Sequence, residues 1–187
     1  MKARPLGNTG YRVSEIGFGG WGIGGEMWRG VDDSEGRKAL REAVDQGITF
    51  FDTALAYGNG HSERIIGEVL KDDIRANRTV VATKIPPMNR QWPGKAGYKL
   101  ADVFPAEYIA SCTETSLQNL GVEALHVQQL HVWNDAWLQD RDWERPTSRS
   151  FALKRKGRSC IGASRSTTTR RRPRCASSPI LCLRRPR

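Results

Sequence analysis

Residues 48–70, ITFFDTALAYGNGHSERIIGEVL, decide the fold. Ile48, Thr49, Phe50 and Phe51 run without the polar alternation of a half-solvated strand, so they read as a continuous apolar strand that closes on Asp52. A Gly/Asn loop follows at Tyr57-Gly58-Asn59-Gly60. Ser62-Glu63 then begins a helix on which Ile65, Ile66, Val69 and Leu70 form one stripe. Strand, loop and amphipathic helix in this order make one βα unit.

The unit recurs on both sides of this stretch. Upstream, Ile16-Gly17-Phe18-Gly19 reads as a first strand, and Asp32-Asp33-Ser34-Glu35 offers a cap with a carboxylate three residues on. The helix after it carries Leu40, Ala43 and Val44 on one face and stops at Gly47. Downstream, Thr79 to Lys84 is a third strand, and a Gly/Pro-rich loop covers Pro86 to Phe104. Pro105 sits in a first helical turn, Ile109, Cys112, Leu117 and Leu120 face inward before Gly121, and Leu125 to Leu130 forms a fourth strand ending at His131-Val132-Trp133. Ahead of them all, Leu6-Gly7-Asn8-Thr9-Gly10 between two short extended pieces reads as a hairpin. Repeated βα units predict an α/β chain with a parallel sheet.

Charge divides the chain. The net charge is +10 over 187 residues, but residues 1–140 hold 15 Lys and Arg against 18 Asp and Glu, whereas residues 141–187 hold 15 against 2. Residues 1–140 are therefore expected to form the folded part and 141–187 a basic tail of irregular pattern, as in Arg170-Arg171-Arg172-Pro173-Arg174. Within it only Phe151 to Gly157 and Cys160-Ile161-Gly162-Ala163-Ser164 look like a helix end and a fifth strand. The four cysteines lack a CxxC spacing, so neither a zinc site nor a disulfide framework is supported. No apolar run approaches the roughly 18 residues of a membrane span, and Met1-Lys2-Ala3-Arg4-Pro5 lacks a signal's apolar stretch, which leads to a cytoplasmic expectation.

Three predicted strands end in a polar group: Asp52, Lys84 and His131. In a parallel barrel or doubly wound sheet those ends open on one rim, where ligands bind. Tyr57, five residues after Asp52 in its loop, is placed to lift a hydroxyl over the same mouth. Each alone has a bland explanation as a cap, a solvated lysine, a core histidine or a packed tyrosine; the four together do not. By contrast Gly19-Gly20-Trp21-Gly22-Ile23-Gly24-Gly25 is no dinucleotide fingerprint, because no acidic residue sits at the required distance in a Rossmann context.

Several of these segments resemble the aldo-keto reductase family: Phe51-Asp52-Thr53-Ala54, Tyr57 to Glu63 with Gly67, Ala82-Thr83-Lys84, Gln129-Leu130-His131, and the opening Arg4 to Gly10 with Val13 to Gly17. The likeness covers about residues 2–138. It implies a (β/α)₈ barrel of the TIM type and reduction of small aldehydes or ketones by NADPH, less often NADH. It implies a catalytic tetrad of Asp52, Tyr57, Lys84 and His131, with no metal. Tyr57 would donate the proton, Lys84 would lower its pKa, Asp52 would hold Lys84, and His131 would hydrogen-bond the carbonyl oxygen. Gly19, Gly20, Trp21 and Asp52 would border the cofactor, and Trp21 would be a wall of the substrate pocket.

Two departures accompany the resemblance. A full barrel takes about 250 residues, and this chain supplies four clear units and part of a fifth, so the cofactor grip of the later strands has no counterpart and activity is expected to be impaired. Ala163 to Thr169 can be encoded by DNA whose shifted frame reads Val-Ser-Ile-Asn-Asp-His, a phrase similar to the family's fifth-strand motif, which suggests a frameshift near Gly157-Arg158. The alternative function is an inactive half-barrel whose Arg-rich tail binds nucleic acid without specificity. Oligomeric state is open.

Overall fold

The structure is a computed structural model that describes residues 1–25 and 32–139, together with the backbone of 161–163. The tail's charge, its predicted helix end, the frameshift junction and the boundary at residue 140 lie outside the described residues.

A two-stranded antiparallel hairpin opens the chain, β1 (Ala3–Pro5) against β2 (Arg12–Ser14). Five parallel strands follow in sequential order: β3 (Phe18–Gly19), β4 (Phe50–Asp52), β5 (Val80–Ile85), β6 (Val127–Leu130) and β7 (Ile161–Ala163). Helices α1 (Asp33–Asp45) and α2 (His61–Arg75) separate the first three of these, and α3 (Leu100–Val103) and α4 (Ala106–Leu120) link β5 to β6. A sheet that adds each strand beside the last, with helical crossovers linking its first four strands, has the winding of a (β/α) barrel. The fifth strand expected around Ile161 is in place, paired parallel to β6 through Gln129 and Gly162.

Local chemistry explains the helix ends. Asp32 caps α1 by accepting from the Ser34 backbone N–H at 3.0 Å, an interaction worth about 0.5–2 kcal/mol. Ser62 does not cap α2, which starts at His61 after a left-handed Gly60. Its buried hydroxyl instead donates to Gly20 O at 2.7 Å and lies 2.8 Å from Thr53 Oγ1, fastening the helix to the ends of β3 and β4. Pro105 is the cap residue of α4, one position earlier than expected, and Gly121 ends that helix with φ of 65°. The loop expected from Pro86 to Phe104 contains the single turn α3, whose Leu100 and Val103 are buried.

Strand alternation sorts the core into two sides. Phe51, Val81, Leu40, Ile66, Leu70 and Leu120 pack between sheet and helices, while Ile85 and Leu130 join Leu100, Phe104, Ile109 and Trp137 nearer the C-terminal ends of the strands. The opposite face holds Val80, Ala82 and Val127 with Phe50, closed over by Tyr11 and Val13 of the hairpin. The sequence alone leads one to expect Ile48, Phe50, Val81 and Leu130 to face the inside of the barrel, but of the four only Phe50 does. The others belong to the helix-facing clusters, because Val81 and Leu130 fall on the opposite phase from Lys84 and Gln129. A hollow of about 470 Å³ at the β3 edge is lined by Val13, Phe18, Gly19, Phe50 and Asp52 among others.

Candidate active site at the strand ends

Asp52 is the last residue of β4, Lys84 the penultimate residue of β5, and His131 follows the last residue of β6. Parallel pairing brings all three to one rim. Ala82 stands opposite Asp52, so Lys84, two residues on, shares its face. Lys84 Nζ donates to Asp52 Oδ2 at 2.6 Å and to the Thr53 carbonyl oxygen at 2.8 Å. The ammonium is mostly sequestered, its side chain 11% exposed against 38% for the carboxylate.

Tyr57 reaches the same place because of its loop. Gly58, Asn59 and Gly60 have φ of 61°, 48° and 82°, a left-handed run that turns the chain directly into α2. At Gly58 a Cβ would fall 2.1 Å from Gly24 O, so glycine is required by space as well as by φ. The turn lays the Tyr57 ring beneath Lys84 Nζ, 5.2 Å from the ring centroid, and edge-to-face with His131 at 5.5 Å. The four expected residues therefore stand together.

The electrostatics differ in one respect from expectation. Burial pushes the Tyr57 phenol above its ordinary value and the Asp52 carboxylate adds to that rise, where Lys84 was expected to lower it. The ammonium lies over the ring face and directs its hydrogen bonds to Asp52 and Thr53. Burial, reinforced by the Lys84 cation, lowers His131 to about 4, so its imidazole is neutral at pH 7.

Two neighbours of the site carry no signal in the sequence. Thr53 offers only a main-chain oxygen. Trp92, from a loop without diagnostic chemistry, meets the His131 ring at 4.6 Å and 89°. Of the cofactor candidates, Gly19 pairs with Asp52 across β3 and β4, and a Cβ there would meet nothing within 4 Å. Gly20 is tightly packed: a Cβ would fall 2.7 Å from Ser62 Oγ, and its N–H donates to Asp52 O at 2.7 Å. Trp21 opens the 3₁₀ turn Gly22–Gly24 and is 48% exposed.

A sequentially wound parallel sheet whose C-terminal rim gathers a lysine–carboxylate pair, a phenol and a neutral imidazole defines part of a (β/α)₈ barrel with its ligand-binding end. Comparison with known proteins agrees. The model of the Aldo/keto reductase family matches residues 15–149. The chain is 36% identical over 135 residues to the aldo-keto reductase YhdN of Bacillus subtilis, covering 72% of this chain and 39% of that protein. The holo form of aldo-keto reductase AKR11C1 from Bacillus halodurans superposes with a TM-score of 0.68 at 26% identity, over 89% of this chain and 51% of that one. Glycerol dehydrogenase AKR11B4 from Gluconobacter oxydans gives 0.67 at 30% identity, over 89% and 49%. The chain belongs to the aldo-keto reductase family, and it spans about half the length of these relatives or less.

Proposed function

We propose that the rim site reduces a small aldehyde or ketone to the alcohol with a reduced nicotinamide cofactor, NADPH in preference to NADH, in the cytoplasm. The observation that supports this best is the cluster of Lys84, Asp52, Tyr57 and His131 within one hydrogen-bonded and ring-stacked group.

The residues present fit one end of such a cofactor. Gly19 leaves open space beside Asp52 that would admit a flat ring, and Trp21 stands exposed one residue past Gly20. When bound, the reduced nicotinamide supplies a hydride to the carbonyl carbon. The protein's task is the oxygen. Tyr57 holds its proton at neutral pH, since burial and Asp52 raise the phenol, and gives it from Oη to the carbonyl oxygen, whose alkoxide is far more basic than a phenolate. Lys84 over the ring stabilises the phenolate left behind, and Asp52 keeps that ammonium charged and fixed. Neutral His131 donates from Nε2 to the same oxygen and orients it.

Because the chain spans about half the length of its relatives or less, slow turnover is the expected outcome for these 187 residues. Among the described residues no helix is long and apolar enough to cross a membrane, and no three His, Cys, Asp or Glu side chains cluster as a metal site. The test is isotopic. With NADPH deuterated at the transferred position, the product alcohol should carry deuterium on its carbinol carbon; an unlabelled product, or none, contradicts the reading.

A further inference from the structure

The His131 ring makes edge-to-face contact with two aromatic rings, both nearly perpendicular to it: Tyr57 at 79° and Trp92 at 89°, the latter in closer contact with centroids 4.6 Å apart. Its Nδ1 is enclosed and has no hydrogen-bond partner among the described residues. A buried imidazole nitrogen normally finds a partner that fixes the ring. Here that means of orientation is missing, and packing has to supply it.

Trp92 is firmly placed for the purpose, although it sits in a loop and is 49% exposed. The loop is closed on itself by one hydrogen bond and fastened by two more to the segment that follows His131. Met88 N–H donates to Val103 O at 3.0 Å, Asn134 Nδ2 donates to Gly94 O at 3.1 Å, and Trp137 Nε1 donates to Tyr98 O at 2.7 Å. Asn134 and Trp137 follow His131 by three and six residues, so the segment bearing the imidazole and the loop bearing the indole are fastened to each other.

We propose that Trp92 is the positioning residue of His131: its indole, set against the imidazole, keeps water from Nδ1 and leaves Nε2 as the nitrogen that meets a ligand. The role rests on the carbonyl-reducing reading only for its purpose, since the contact exists in the free protein. The charged group facing His131 is Lys84 on β5, which resists a second positive charge at the ring; the other titratable group against it, Tyr57, is neutral. Removing the indole admits water, which favours the imidazolium.

The chain has three histidines, His61, His126 and His131, so their ring Cε1–H signals are separable by single substitutions and titrate individually in NMR. In Trp92→Ala the His131 midpoint should rise from about 4 by about one pH unit or more toward the ordinary value, while His126, buried elsewhere, stays near its own value of about 4. A His131 midpoint unchanged in Trp92→Ala overturns the proposal. If His126 moves too, the fold has been disturbed and Trp92→Phe decides. That variant keeps an aromatic edge and should hold His131 near its wild-type midpoint; a Phe variant titrating at the ordinary histidine value, with His126 unmoved, overturns it. Neither readout needs cofactor or substrate, so failure of the reductase reading shows separately, as absence of aldehyde-dependent NADPH oxidation.

Discussion

Lys84 Nζ lies 2.6 Å from Asp52 Oδ2, across the β4–β5 pairing that sets Asp52 opposite Ala82. Asp52→Asn keeps the shape and removes the charge. The ammonium, 11% exposed, keeps only its bond to Thr53 O as a strong acceptor. Because the carboxylate is partly solvated, the expected loss is about 1–2 kcal/mol in urea unfolding. No loss would mean that water replaces the carboxylate at no cost.

At Gly67 helix α2 packs directly against the C-terminal end of α4. A Cβ at this position would stand 2.6 Å from Leu120 O and 2.7 Å from Asn119 O, both main-chain atoms that cannot swing aside. Gly67→Ala should therefore lower stability by about 1–3 kcal/mol, despite alanine's better helix propensity. Thermal unfolding reads this directly. A stabilised variant would contradict the close packing of the two helices.

Acid should destabilise the protein below pH 6.5. Burial lowers both His126 and His131 to about 4. Between about pH 6.5 and 4 the unfolded chain binds more protons at these sites than the folded one, so stability falls as pH falls through that window, by on the order of 2–3 kcal/mol per histidine. Urea midpoints at pH 7, 5.5 and 4 measure it, and a flat profile would contradict the burial of both rings.

Glu63 works in the other direction. Fully buried, it accepts from Thr83 Oγ1 at 2.5 Å and Asn119 Nδ2 at 2.8 Å, and burial raises its carboxyl above the ordinary value. A raised carboxyl favours the folded state at low pH, and that contribution is lost as pH rises through the folded value. Glu63→Gln removes this term, so the stability of the variant relative to wild type should climb as pH rises from 4 to 7. A constant difference would show that Glu63 does not titrate with folding.

Much of this was legible from the chain itself. Apolar runs ending in Asp52, Lys84 and His131 reveal parallel strands and their common rim, because a buried strand has no packing reason to end in such groups. Pairing phase was harder. Val81 and Leu130 look like any inward residue, and only the register, with Lys84 and Gln129 paired across β5 and β6, sends them to the helix side. Ser62 reads as a cap because serine often is one, yet the space between α2 and the strand ends claims its hydroxyl. Trp92 leaves no trace in the pattern, since its contact with His131 is made by a loop whose course depends on tertiary hydrogen bonds. The Tyr57 phenol stands above its ordinary value because burial and then the Asp52 carboxylate raise it, and neither effect is visible in the presence of a nearby lysine in the sequence.

Proton delivery by Tyr57 in the proposed carbonyl reduction is measured most directly as aldehyde-dependent NADPH oxidation by the 187-residue chain and by Tyr57→Phe, with NADPH binding followed by fluorescence in both. Expected are a slow rate in the wild type, below about 1 s⁻¹ and so under the usual enzyme range, none above background in Tyr57→Phe, and equal NADPH binding in the two. A Phe variant that oxidises NADPH as fast as wild type, or a wild type with no aldehyde-dependent oxidation at all, would contradict it.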